Sequence, residues 1–172
     1  MGVKENYRLV LERVAAAAEK AGRDPSEVTV VGVTKTHPAS VVREAIEAGI
    51  LDVGENRVQE FLSKADEVDA PCRWHLVGHL QSNKVTKVIG RFHLIHSVDS
   101  LRLAEKLGRA GTERGVSTDI LLEVNTSGED SKYGLDPGET VDCCGAVARI
   151  DGIRLRGLMT VGPWVDDARR VT

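Results

Sequence analysis

The feature of this sequence that most constrains its fold is a regular alternation of short apolar runs with longer amphipathic stretches. The run at 28–33 is rich in β-branched residues and apolar on both faces, which is typical of a strand in a covered parallel sheet. A helical pattern then opens at Pro38 and closes at Gly49, two residues that favour helix starts and helix ends respectively. Repeats of this kind predict a parallel sheet with right-handed crossovers.

The alternation continues along the chain after an N-terminal helix. Helices are predicted at 3–21, 38–49, 57–68, 80–89, 101–110 and 137–149, and strands at 28–33, 51–56, 74–79, 93–98, 119–125 and 153–161. Asn56 is expected to cap the helix at 57–68, with Gln59 in the capping-box position, and Ser100 to cap the helix at 101–110.

Two architectures fit this order, a doubly wound open sheet and a (β/α)₈ barrel. No G-x-G-x-x-G follows a strand and no G-x-x-x-x-G-K-[ST] occurs, which removes the main support for the nucleotide-binding open sheets. Nearly every predicted strand has a polar residue at or just after its carboxyl end: Lys35, Asn56, His79, Asp99, Asn125 and Thr160. Helix capping explains some of them, but Lys35 and His79 less well. A barrel carries its site at the carboxyl ends of its strands, so the sequence predicts an α/β fold of the TIM-barrel type with an extra N-terminal helix.

Composition narrows the class of protein. The chain has 172 residues, 41% of them hydrophobic, with a net charge of −3, which suits one domain over residues 1–172. The weakly acidic balance and 3% aromatic content argue against a nucleic-acid surface. Three cysteines without metal-ligand spacing predict neither a disulfide framework nor a zinc site. No segment is apolar enough to span a membrane, so a cytoplasmic protein is expected.

Lys35 is the principal candidate for chemistry. A lysine at the end of a buried strand can clamp a phosphate, act as a general base, form a Schiff base, or simply extend its amine into solvent. Strand alternation places Lys35 on the same face as Val31 and Val33. If that face points into a barrel, the amine lies above an apolar surface, which suits an imine better than a solvated clamp.

The remaining candidates are weaker. His75 and His79 share a strand face but are too far apart to chelate one ion easily, so a core or capping role is favoured for them. Cys72 precedes its strand and would lie at the wrong end of a barrel. Met159, on the sixth strand, is either a core residue or an apolar surface against a flat ring.

Seven short motifs, which occur in a fixed order along the chain, indicate a resemblance to a known family. They are Val33-Thr-Lys-Thr-His-Pro38, Gly54-Glu-Asn-Arg-Val-Gln-Glu60, Trp74-His-Leu-Val-Gly-His-Leu-Gln-Ser-Asn-Lys84, His96-Ser-Val-Asp99, Glu123-Val-Asn125, Lys132-Tyr-Gly134 and Leu155-Arg-Gly-Leu-Met159. Together they closely resemble the pyridoxal phosphate homeostasis protein family. The resemblance implies a barrel like the N-terminal domain of alanine racemase, with pyridoxal 5′-phosphate (PLP) held as an imine on Lys35. It also implies that Asn56 and Met159 lie near the cofactor ring.

The resemblance further implies a cofactor carrier without established catalytic activity, a monomer or weak homodimer that serves PLP-dependent apoenzymes. In the family the pattern continues past the sixth strand with a helix and two more strands that bring the phosphate-binding residues. We therefore expect an incomplete barrel of about six of eight βα units, with the phosphate-binding residues outside this chain. His37 is a smaller departure, since many relatives carry a second basic residue there.

Other functions stay open at this point. A PLP-dependent racemase or decarboxylase of the same fold is one, although a racemase needs two bases and in this fold class takes one from a second, β-rich domain. A cofactor-independent aldolase that uses Lys35 is another. The third is a fragment without function, since losing two strands of a barrel would exceed the usual stability margin of ~5–15 kcal/mol.

Overall fold

The computed structural model describes residues 2–129 and 133–162, in which helices and strands alternate. The helices are α1 (Val3–Lys20), α2 (Ala39–Glu47), α3 (Val58–Lys64), α4 (Val85–Val88), α5 (Leu101–Arg114) and α6 (Thr140–Val147). The strands are β1 (Gly32–Val33), β2 (Asp52–Glu55), β3 (Arg73–Leu76), β4 (Leu94–Val98), β5 (Thr118–Glu123) and β6 (Ile153–Met159). The α/β fold class and the strand–helix order predicted from the sequence are confirmed. The chain forms two compact units, residues 1–75 and 76–172, which are described in turn.

The N-terminal unit contains β1, β2 and β3, which lie side by side in chain order. Strands β1 and β2 are parallel, with Gly32 opposite Val53 and Val33 opposite Gly54. The amide of Arg73 at the start of β3 donates to the carbonyl of Leu51, just before β2. The carboxyl ends of the strands therefore lie along one edge, where the sequence places its polar residues.

Apolar side chains between α2 and these strands form the core of the N-terminal unit. Val42 and Val53 are fully buried, and Cys72 and Trp74 pack against the same cluster. Phe61 of α3 meets the Trp74 ring edge to face, with ring centroids 5.2 Å apart. Helix α1 buries only Ala18, while the side chains of Val10 and Leu11 are 42% and 41% exposed.

Strand β1 is shorter than the sequence predicted. Only Gly32 and Val33 belong to it, although the apolar run begins at Val28. Because β2 begins at Asp52 and Gly32 pairs with Val53, the residues before 31 have no part of β2 beside them. The hydrophobic run indicated the position of a strand, but the burial expected for it is not observed, since Val28 is 39% exposed and Val33 is 45% exposed. Pairing with the neighbouring strand decides where the strand begins.

The C-terminal unit contains β4, β5 and β6, again parallel and in chain order. Strand β5 alternates buried and half-buried residues, and Ile120 and Leu122 are fully buried. Helix α5 begins at the predicted cap, where Ser100 Oγ accepts from the amide of Leu103 at 3.3 Å. It ends at Gly115, which adopts the left-handed conformation with φ of 65°.

Two predicted helices begin with a different geometry. The segment predicted as a helix at 80–89 is a 3₁₀ turn over Ser82–Lys84 followed by the short α4. The helix predicted to open at Pro137 is a 3₁₀ turn over Pro137–Glu139 followed by α6, and Asp136 caps that turn by accepting from the amide of Gly138.

Among the described residues no helix is long and apolar enough to cross a membrane.

Candidate functional site

Lys35 lies two residues after the end of β1, at the carboxyl edge of the strands of the N-terminal unit. The amide of Thr34 donates to the carbonyl of Gly54 at 2.9 Å, so the β1–β2 register extends past the strand and brings Lys35 level with Asn56. Lys35 is exposed and Asn56 is half-buried. Two of the three predicted cofactor contacts therefore follow neighbouring strands.

The residues around Lys35 alternate between buried and exposed positions. Thr34 is 5% exposed, whereas Val33 on one side is 45% exposed and Lys35 on the other is also in contact with solvent. Val33 and Lys35 thus share an accessible face, as strand alternation predicted. The amine of Lys35 can be reached by a ligand without movement of the core.

Residues 34–37 form a tight turn with Lys35 and Thr36 at its two central positions. The amide of His37 donates to the carbonyl of Thr34 at 3.1 Å, which closes the turn. Thr36 has φ of 67°, the only positive φ of a non-glycine residue in the described chain. A positive φ at the third position is the geometry of a type II turn, where glycine is preferred. A β-branched residue there is strained and needs contacts that hold it.

A buried ion pair lies beneath the turn. Lys64, the last residue of α3, donates to Glu55 Oε1 at 2.8 Å and to the carbonyl of Thr34 at 2.9 Å. The hydroxyl of Thr34 donates to the same carboxylate oxygen at 2.7 Å. The Glu55 side chain is fully buried and that of Lys64 is 9% exposed, so each charge depends on the other.

Glu60, one turn before Lys64 on α3, holds the other side of the turn. Its Oε2 accepts from the amide of Thr36 at 2.8 Å and lies 3.8 Å from the amine of Lys64. The pKa of Glu60 is lowered below its usual value, mainly by the hydrogen bond from the amide of Thr36. Partial burial of the carboxyl raises the pKa, and the positive charges of Lys64 and Arg57 lower it. The residues on both sides of Lys35 are therefore bonded to α3.

Asn56 does not cap α3, which corrects the prediction made from the sequence. The helix begins at Val58 with Arg57 at the N-cap position, and no side chain forms the cap hydrogen bond. The physical reason is register: the helix starts one residue later than the capping-box pattern required, so neither Asn56 nor Gln59 is at the right distance from the helix start. A role of Asn56 in ligand binding is compatible with this geometry.

Met159 lies in the C-terminal unit, where it is the last residue of β6. Its carbonyl accepts from the amide of Val124 at 2.8 Å, and its side chain is half-buried. It contributes to a cavity of about 330 Å³, whose other lining residues are Val124, Thr126, Pro137, Thr140, Val141, Leu158 and Thr160.

A second group of polar residues in the C-terminal unit lies after β3 and at the carboxyl ends of β4 and β5. His79 Nδ1 lies 3.2 Å from Asp99 Oδ2, and its ring stacks on Tyr133 with centroids 3.8 Å apart. Burial raises the pKa of Glu123 at the end of β5, and the nearby charge of Asp99 raises it further. Among the residues described, no three His, Cys, Asp or Glu side chains are grouped so that they could hold a metal ion.

His75, on β3, has a structural role, as the sequence analysis favoured. His75 is 4% exposed and its Nε2 lies 2.9 Å from Asp52 Oδ1, while Arg73 donates to both oxygens of the same carboxylate. These residues are at the amino-terminal ends of β2 and β3, away from Lys35. Cys72 next to them is half-buried, and burial raises the pKa of its thiol, which makes it a poor nucleophile.

Four residues of this site were missed from the sequence: Thr36, Glu55, Glu60 and Lys64. The spacing of Glu60 and Lys64 is a visible signal, since residues four apart meet on a helix face. Two contacts hold α3 against this edge of the sheet. Glu60 bonds Thr36, in the turn after β1, across 24 residues of chain, and Lys64 bonds Glu55 of β2 across 9 residues. No periodicity in the sequence reveals contacts of that kind.

Known proteins resemble this chain along nearly its whole length. Residues 4–172 match the family model described as alanine racemase, N-terminal domain. A pyridoxal phosphate homeostasis protein of Pseudomonas aeruginosa is 42% identical over 160 residues, which cover 92% of this chain and 70% of that protein. A protein of the same name from Aquifex aeolicus is 36% identical over 99% of this chain and 75% of its own length.

A solved structure adds a ligand to the comparison. The structure of PipY from Synechococcus elongatus PCC7942 with PLP bound is similar with a TM-score of 0.78 and 38% sequence identity, covering 93% of this chain and 74% of that one. The strand–helix order, the lysine after β1 and these similarities agree with one another. This chain belongs to the pyridoxal phosphate homeostasis protein family, which has the fold of the alanine racemase N-terminal domain.

Proposed function

We propose that this protein binds pyridoxal 5′-phosphate, holds it through Lys35, and acts in PLP homeostasis. The observation that carries the proposal is an exposed primary amine at the carboxyl end of β1, in a chain of this family. The names of the bacterial relatives and the PLP bound to PipY support it. Asn56 and Met159 are proposed as further contacts of the cofactor because their motifs match the family.

The chemistry of the site suits an aldehyde ligand. The amine of Lys35 can attack the aldehyde carbon of PLP, and loss of one water leaves a C=N bond without any oxidant or reductant. The turn around Lys35 is bonded to α3 on both sides, so the amine extends from a fixed backbone. Exposure of Lys35 leaves the bond open to an incoming amine, which suits a carrier that releases its ligand.

We propose a carrier rather than an enzyme, because the relatives are named for homeostasis and not for a reaction. The recipients would be PLP-dependent apoenzymes in the cytoplasm. A racemase or decarboxylase on the same scaffold is the alternative that shares Lys35. Purified protein loaded with PLP should leave L-alanine unchanged in a chiral assay, and racemisation that depends on Lys35 would replace the carrier proposal by an enzymatic one.

The decisive experiment is to trap the cofactor on its lysine. Protein incubated with PLP should develop a visible imine absorbance, and borohydride reduction followed by peptide mapping should place the cofactor on Lys35. We expect Lys35→Ala and Lys35→Arg to abolish this adduct, since neither side chain supplies a nucleophilic amine. Lys20→Ala is the matched control, because Lys20 is an exposed lysine on α1.

The outcome separates a specific site from general amine reactivity. Labelling spread evenly over the exposed lysines, or equal adduct formation by Lys35→Ala and the wild-type protein, would refute the assignment of Lys35. A difference confined to Lys35 variants, with Lys20→Ala like wild type, would establish it. Asn56→Ala and Met159→Ala should then weaken PLP binding without removing the adduct.

A further inference from the structure

The turn that carries Lys35 is held in a conformation that its own sequence disfavours. Thr36 has φ of 67°, in the left-handed region, which is unfavourable for an L-residue because its Cβ lies too close to the following carbonyl oxygen. Threonine is strained there because its β-carbon is branched, and its hydroxyl supports this conformation less well than the side chain of asparagine does. The turn therefore depends on partners outside residues 34–37.

Those partners come from one face of α3. Lys64 bonds the carbonyl of Thr34 on the N-terminal side of Lys35, and Glu60 bonds the amide of Thr36 on the C-terminal side. The bond from Thr36 to Glu60 is the one that acts directly on the strained residue. A hydrogen bond to a carboxylate is about twice as strong as one between neutral groups, so Glu60 is well suited to offset the strain.

We infer that Glu60 is a positioning residue for Lys35: by accepting from the amide of Thr36, it holds the turn that directs the lysine amine toward its ligand. The inference rests on the proposed function, in which Lys35 binds PLP. Glu60 itself does not touch the ligand. Its effect is on the fraction of time that the amine spends in the reactive geometry.

Glu60 can be tested where its neighbours cannot. Glu55 and Lys64 are a buried pair, and removal of either would leave an unpaired charge inside the unit. The side chain of Glu60 is 24% exposed and borders solvent, so its replacement creates no core cavity. Glu60→Gln keeps an oxygen that can accept from the amide of Thr36, whereas Glu60→Ala removes the acceptor.

The experiment measures the rate at which PLP forms the borohydride-trapped adduct on Lys35 in a set of variants. We expect Glu60→Ala to react about tenfold more slowly than wild type, since it loses one charge-assisted hydrogen bond, and Glu60→Gln to stay within about threefold. Adding Thr36→Gly to Glu60→Ala should restore most of the lost rate, because glycine adopts a positive φ without strain. Glu47→Ala, an exposed glutamate at the end of α2, controls for the loss of one negative charge.

A second measurement does not depend on PLP at all. Amide hydrogen exchange followed by NMR should show Thr36 protected in wild type and Glu60→Gln, and exchanging faster in Glu60→Ala, while the free energy of unfolding measured in urea changes little. The inference is supported if Thr36→Gly restores the reaction rate that Glu60→Ala loses, and if the Thr36 amide exchanges as expected in wild type, Glu60→Gln and Glu60→Ala. Wild-type reaction rates in Glu60→Ala, or an unchanged Thr36 amide, overturn it.

The two arms also keep this inference distinct from the proposed function. If wild-type protein forms no adduct at Lys35, the proposed function fails, and the exchange of the Thr36 amide alone then decides whether Glu60 holds the turn. If wild type reacts at Lys35 and Glu60→Ala reacts equally well, the proposed function stands and the positioning role is refuted.

Discussion

Asp52 carries a carboxylate that is almost completely buried. Its side chain is 8% exposed at the start of β2, and its carboxylate accepts two hydrogen bonds from Arg73 and faces His75. The hydrogen bonds from Arg73 are the main cause that lowers the pKa of Asp52, and they outweigh the opposing effect of burial. A carboxyl with this environment stabilises the fold only while it is ionised.

This gives a prediction with a defined pH range. The pKa of Asp52 is lower in the folded chain than in the unfolded chain, where it is about 3.9. Its contribution to stability is therefore complete above that value and is lost as pH falls through the folded pKa. We expect Asp52→Asn to lower the free energy of unfolding by about 1–3 kcal/mol at pH 7, and the gap from wild type to narrow progressively as pH falls below about 4.

Urea unfolding of both proteins at several pH values between 7 and 3 checks this. Asp69→Asn is the control, because Asp69 is an exposed aspartate of the same unit. A gap that stays constant down to pH 3 would mean that the charge of Asp52 contributes nothing and that the cost arises from packing.

At the scale of elements, the C-terminal unit depends on close backbone contact between α5 and the turn before β6. A Cβ added to Gly111 would lie 2.4 Å from the carbonyl oxygen of Gly152 and 2.9 Å from that of Val116. These neighbours are backbone atoms and cannot rotate away. Small residues are needed on this face of α5 because the helix and the turn approach more closely than side chains allow.

Gly111→Ala should therefore destabilise the chain by roughly 1–3 kcal/mol in thermal or urea unfolding, as overpacking does. Gly145→Ala on α6 is the matched control, since the nearest atom to its added Cβ is a side-chain nitrogen of Arg149 at 3.8 Å. That change should raise stability by ~0.5–1 kcal/mol, because alanine is the better helix former. Equal effects of the two substitutions would contradict the packing argument.

The elements also show what the sequence can and cannot predict. Hydrophobic patterns and turn residues located the six α-helices and six strands of the described residues, and Ser100 was identified as a cap from local pattern alone. The boundary of β1 could not be predicted, since it depends on where β2 begins. Lys35 was found because its position after a strand is a local signal. Glu60 was not, because its partner Thr36 is 24 residues away.

At the scale of the molecule, the C-terminal unit exposes apolar side chains near the end of β6. Val141, Leu158 and Val161 are 80%, 54% and 61% exposed, and the first two line the cavity that includes Met159. Strand β6 is the last in the described sheet order, so one of its edges has no described strand beside it. Apolar residues at an open edge favour association between molecules.

We therefore expect self-association that rises with protein concentration, and we expect Leu158→Lys to reduce it, since a lysine at an edge opposes pairing. Sedimentation velocity over a concentration series measures this directly. Val116→Lys, at a site that is 37% exposed elsewhere in the unit, is the control. Equal association of the two variants would place the contact somewhere other than β6.

The buried position of Lys64 makes its amine less accessible to chemical modification than the amine of Lys35. Two lysine amines lie near the same turn, but only that of Lys35 is exposed, while that of Lys64 is enclosed by Glu55 and Thr34. Small electrophiles such as metabolic aldehydes and acyl donors can reach Lys35 in the native state and reach Lys64 only when the unit opens. Modification of Lys64 would therefore mark a molecule that has lost its native packing, whereas modification of Lys35 would not.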